Sequence, residues 1–264
     1  MKTAFVRTPV LTALCLALLG GSAPGSILPA LRPPHAVLQL DVQAETDKAL
    51  DQALRARSPE PFVHLRQRLR LADASQARYW HGYVALHESI YYLQQNDRKR
   101  AEQVVENGLK QLQEPAPQRA EDYALLAHLQ SFAIQFRHGM AAALAAAKVK
   151  SNAERALKLD ARNLRAYYVL ASNDFYTPAR YGGGKKTEGY LLKALAQPDQ
   201  SAAGAQGPSW GREQTYELLV RFYHREQKPA LAQKYYAEAR RRYPSSTTLA
   251  ELGKALEQPA AAYN

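Results

Sequence analysis

The chain has 264 residues, with 35 Lys and Arg against 24 Asp and Glu and a single cysteine. That cysteine, Cys15, falls inside an N-terminal leader, so the mature chain has none for a disulfide, a thiol nucleophile, an Fe–S cluster or a cysteine zinc site. The net charge of +11 loses only Lys2 and Arg7 with the leader, leaving +9, and export argues against nucleic acid as the partner of that surplus.

Taken in chain order, the leader comes first. Lys2 and Arg7 precede an apolar stretch at 10–19, too short to cross a membrane, and small residues follow at 20–25. This order predicts a signal peptide and an exported protein, periplasmic or secreted. The leader ends at residue 25 if the cut precedes Ser26, or at 44 if Val42-Gln43-Ala44 directs it; an uncleaved anchor is the alternative. Leu14 stands where a lipidated start requires a small residue, so no lipid is expected on Cys15. No later stretch is apolar enough to span a bilayer. The folded domain is expected over 45–258, with a tail at 259–264.

Helical patterns fill that domain. Short helices are predicted over 46–56 and 61–71, with Ser58-Pro59-Glu60-Pro61 as the turn between them. Pro115, Pro117 and Arg119-Ala120-Glu121-Asp122 start a helix running to Phe136. Its stripe of Tyr123, Leu126, Leu129, Phe132, Ala133 and Phe136 keeps helical spacing. His138-Gly139 breaks it, and an alanine-rich helix over 140–159 follows, suited to close packing. Two further hairpins are predicted over 163–194 and 213–246, joined by a Gly/Ser/Pro-containing connection at 197–209. No run alternates with period two, so the expected fold class is all-α.

The last hairpin is the most regular. Tyr216, Leu219, Val220 and Tyr223 fall at positions 4, 7, 8 and 11 of a 34-residue frame. Ala232, Tyr236, Ala239 and Pro244 take positions 20, 24, 27 and 32 of the same frame. This pattern resembles the tetratricopeptide repeat. The frame recurs from Asn163, with Tyr167, Leu170 and Ala171 in the first helix and Thr187, Leu191 and Ala194 in the second. There Asp174 stands where an aromatic is expected, and about four extra residues enlarge the turn. A weaker unit has Ser89, Tyr92, Ala101, Val105 and Gly108, with Glu88 against the pattern. The resemblance implies about ten helices in a right-handed α-superhelix of antiparallel hairpins.

It also implies a function class. Such repeats are binding scaffolds, and the first-helix positions that line their concave groove correspond here to Arg165, Tyr168, Ser172, Phe175 and Tyr176, and to Gln214, Glu217, Arg221, His224 and Arg225. A protein or peptide partner is expected, acidic if the paired Arg221 and Arg225 hold it. Binding of an anionic small molecule or envelope polymer, or self-assembly, are the alternatives.

The enlarged turn, Thr177-Pro178-Ala179-Arg180-Tyr181-Gly182-Gly183-Gly184, resembles that of exported bacterial tetratricopeptide proteins with an extended Thr-Pro…Gly-Gly connection. Phe175, Tyr176, Tyr181 and Tyr190 bracket it, either to plug it onto the array or to present a recognition surface. Lys185 and Lys186 ahead of a helix could hold an anion. The phosphate-loop pattern itself fails, because Ala179 stands where its first glycine belongs.

Catalytic patterns are missing. His87-Glu88 opens a zinc-protease motif, but Tyr91 replaces its second histidine. His81 and His87 do not share a helical face, and no nucleophile elbow occurs. No enzyme, metal or cofactor is expected.

Overall fold

A computed structural model describes residues 41–70, 74–198 and 207–256. The expected leader up to residue 25, the tail 259–264 and residues 199–206 of the connection lie outside the described residues. Among the described residues there are eleven α-helices, two 3-10 turns and no strand, an all-α fold.

The helices pair in chain order: α1 (Val42–Ala56) with α2 (Glu60–Leu69), α3 (Ala74–Gln94) with α4 (Arg98–Gln113), and α5 (Ala120–Ala133) with α6 (Gly139–Leu159). Next come α7 (Leu164–Tyr176) with α8 (Thr187–Ala196) and α9 (Arg212–Arg225) with α10 (Pro229–Arg242). α11 (Thr247–Leu256) then covers α10 and α9. Across the pairs, α1, α3, α5, α7 and α9 pack side by side in succession.

Helix boundaries follow local capping chemistry. α1 starts four residues earlier than the spacing predicted, because the Asp41 carboxylate accepts the Ala44 N–H at 3.0 Å. The helix expected to reach Phe136 ends at Ala133, and its last turn tightens into a 3-10 turn over Ile134–Phe136. α11 restarts helix beyond the Pro244 stop, where Ser246 Oγ accepts the Leu249 N–H at 3.0 Å.

Small residues set the helix spacing. Ala101, Val105 and Gly108 of α4 are buried, and a Cβ added to Gly108 would lie 2.7 Å from Ala85 Cβ, so the α4 backbone lies directly against the Ala85 side chain of α3. In the last pair Leu219, Val220, Tyr223, Ala232 and Ala239 are buried, with Tyr216 and Tyr236 half-buried. Enlarging fully buried Ala239 to leucine is therefore expected to overpack α9 against α10 and cost roughly 1–3 kcal/mol. A thermal melt that does not move would remove Ala239 from this contact. Glu88, out of pattern in sequence, is buried and paired with Arg66 of α2, which accounts for a carboxylate at a core position.

The turns of the last four hairpins lie along one edge. The Asn173 amide donates to the Ala146 carbonyl at 3.4 Å, bringing the end of α7 beside the first half of α6. Arg225 at the end of α9 donates to the Phe175 carbonyl at 3.0 Å, and Arg98 at the start of α4 donates to the Gln135 carbonyl.

Candidate binding face around Trp210

Trp210 follows Gly207-Pro208-Ser209 and sits just before α9, where it is buried. Four helices meet on it. Gln43 of α1 accepts the backbone N–H groups of Ser209 and Trp210 at 2.8 and 2.9 Å. The indole N–H donates to the Tyr79 hydroxyl of α3 at 2.8 Å. His128 of α5 stacks on the indole at 4.9 Å and 17°, and Tyr168 of α7 meets it edge-on at 6.4 Å. Arg165, also of α7, donates to the Trp210 carbonyl at 3.1 Å. Gly211 follows with φ +107°, and a Cβ there would lie 2.8 Å from Leu164. Only glycine lets the backbone turn so close to α7.

Buried Tyr83 completes a floor of rings, stacked 6.5 Å from Trp210 and tilted against His87 at 4.4 Å. Burial lowers His87 and His128 to about 4, so both are neutral at physiological pH. The Tyr83 carbonyl lies 3.0 Å from His87 Nδ1 and can only accept, which assigns the proton to that nitrogen. The Nε2 lone pair is then left facing Asp47, 3.5 Å away.

Carboxylates crowd the open side of this floor. Asp47 keeps 57% of its side-chain surface exposed. It is nevertheless raised to about 6, by loss of bulk solvation and then by repulsion from Asp41 and Glu213. Glu217 is raised to about 7 by burial and by Glu213, against the pull of Arg221. The face is therefore a patch of mutually repelling acids over neutral aromatic rings.

The shifts carry a pH signature. Glu217 binds its proton more tightly in the fold than in the unfolded chain, so its contribution is neutral below its ordinary range, turns destabilising as pH rises from there, and reaches its full penalty above about 7. His87 and His128 act in the opposite sense: the unfolded chain takes up their protons below about 6.5, which weakens the fold in acid. The Glu217→Gln variant is thus expected to gain stability relative to the parent at about pH 8 and not at about pH 5. Parallel melts across that range check this, and a constant difference would contradict it.

The residues predicted from sequence are distributed unevenly. Tyr168 lies on the ring floor, and Arg221 is near enough to Tyr168 and Glu217 to favour the ionised form of both. Ser172 is buried and His224 half-buried. Arg165, expected to line a groove, is instead 3% exposed, with Nε and Nη2 donating to Glu121 at 2.5 and 2.7 Å. Arg225 is also drawn into packing: its guanidinium lies 3.9 Å from the centre of the Phe175 ring. The expected basic pair of Arg221 and Arg225 therefore does not project as a clamp.

The enlarged loop is firmly built. Gly182 and Gly184 have φ +84° and +81°, and a Cβ on Gly183 would lie 1.8 Å from the Thr177 carbonyl oxygen. Asp174 accepts the Lys186 N–H and the Thr187 hydroxyl, each at 2.8 Å, through Oδ2. The N-terminus of α8, read from sequence as an anion site, thus already faces the chain's own carboxylate. Pro178 opens the 3-10 turn at Ala179–Tyr181. Of the four bracketing aromatics, Phe175 is buried and Tyr190 half-buried, while Tyr176 and Tyr181 project outward.

Sequence reasoning missed Trp210, Asp47 and His128. A tryptophan set in a Gly/Pro connection was the one available signal, since so large an apolar ring requires somewhere to be buried. Comparison with family models, curated proteins and solved structures found no match to the chain.

Proposed function

We propose that the chain is a non-enzymatic, exported scaffold whose hairpins form a right-handed tetratricopeptide-like superhelix. Its inner, concave face binds a peptide or protein segment carrying basic side chains. The observation that carries this reading is the field of Asp47, Glu213 and Glu217 over the rings of Tyr83, His128, Tyr168 and Trp210. A lysine or arginine seated there relieves the repulsion among the acids above the buried rings. An acidic partner is less suited, because Arg225 is held against Phe175.

Export completes the reading. A cut after Ala44 would remove the Asp41 cap, buried Val42 and the Gln43 bonds to Ser209 and Trp210. The mature N-terminus accordingly precedes Asp41, which sequencing of the secreted form decides. The binding reading is tested on an array of immobilised peptides of defined charge: Lys- and Arg-containing peptides should be retained by the parent and released by the Glu213→Gln, Glu217→Gln double variant. Preference for acidic peptides, or indifference to charge, would overturn it.

A further inference from the structure

The edge that carries the hairpin turns has a different character from the inner face. α6 is 21 residues long, while α5 and α7 beside it have 14 and 13. The Asn173–Ala146 bond sets Ala146 level with the last turn of α7. At about 1.5 Å per residue, Met140 then stands about 9 Å farther out. This projecting stretch, 139–147, holds no charged residue. Met140 and Leu144, one helical turn apart on the same side, are 75% and 59% exposed.

The α7–α8 loop opens at this same edge and raises Tyr176 and Tyr181, 69% and 72% exposed. Its glycines and Asp174 fix its shape, so the two rings are presented rather than loosely attached. Cations surround the apolar tip: Lys148, Arg180, Lys185 and Lys186 are all exposed. No Asp or Glu occurs in 137–151 or 175–187. Arg98 and Lys99 at the start of α4 extend the positive edge, while Arg100 there pairs with Asp97 at 3.2 Å.

Two tyrosines, a methionine and a leucine flanked by exposed cations match the boundary of a bilayer with acidic headgroups. Aromatic and aliphatic side chains seat at headgroup depth while lysines meet lipid phosphates. No described helix is long and apolar enough to cross a membrane. We infer that this edge docks the folded domain on an anionic phospholipid surface, leaving the inner face open. The inference stands on different residues from the peptide-binding reading, and either can fail alone.

Vesicle flotation of the secreted chain, from which the leader has been removed, tests it, with phosphatidylcholine vesicles and with phosphatidylcholine mixed with phosphatidylglycerol. The parent should float with the mixed vesicles only and be released by added salt. Lys185→Glu with Lys186→Glu should weaken that binding about tenfold or more. Met140→Ser with Leu144→Ser and Tyr181→Ser should weaken it at all salt concentrations, with circular dichroism unchanged in both variants. Equal binding to neutral vesicles, or parent-like binding by both variants, would overturn the inference by placing the lipid contact elsewhere in the chain. It would also be overturned by a chain that ignores both vesicles and forms a dimer dissolved by Met140→Ser with Leu144→Ser.

Discussion

Replacing Trp210 by alanine is expected to destabilise the fold by about 3–5 kcal/mol, the range for truncating a buried aromatic. The loss should sit at the high end because the indole packs against α3, α5 and α7 at once. Its ring stacks on His128, meets Tyr168 and donates to Tyr79, so truncation opens a void against α3, α5 and α7 together. Phenylalanine keeps most of the apolar volume but removes the N–H donor to a buried tyrosine. Trp210→Phe should accordingly cost only about 1–2 kcal/mol. Urea unfolding measures both. Equal, small losses would mean that the segment before α9 rests on the surface.

The second large effect belongs to the pair of Glu121 and Arg165. The Arg165 side chain is 3% exposed and bonds to both oxygens of Glu121 as well as to the Trp210 carbonyl. Glu121→Ala strands that guanidinium away from water, and breaking one side of a buried pair costs about 3–5 kcal/mol. Replacing both members with apolar residues of similar size should recover much of the loss, since the desolvation penalty disappears with the charges. The exposed pair of Arg55 and Asp51 is the control, and its removal should cost about 0–1 kcal/mol. If the two pairs behave alike, Arg165 is not sealed in the array.

Much of the fold could be read from residue spacing. Ala232, Ala239 and Val220, or Leu191 and Ala194, are apolar at helical intervals and are buried where that spacing places them. Such positions are decided locally, by which face of a helix meets its neighbour. The binding face was harder to read because it depends on contacts between distant parts of the chain. Nothing around Asp47 indicates that it shares a face with Glu213 and Glu217; only the docking of α9 through Trp210 and Gln43 makes them neighbours.

The arginines show the same limit from the other side. Arg165 and Arg225 carry the residue type and helical position of groove anchors, yet Glu121 and Phe175, respectively, hold them in packing. Asp174 is the converse case. It breaks the repeat pattern, and the reason appears only once the loop is folded: its carboxylate caps α8 and holds Lys186 and Thr187.

Calorimetric titration of a lysine- and arginine-containing peptide into the chain, at about pH 8 and again at about pH 5, tests the acidic face most directly. Asp47 and Glu217, raised to about 6 and about 7, are charged at the higher pH and largely protonated at the lower. Affinity should therefore fall at least severalfold on acidification, and Glu217→Gln should bind weakly at both. Binding that is independent of pH, or stronger in acid, would contradict the reading.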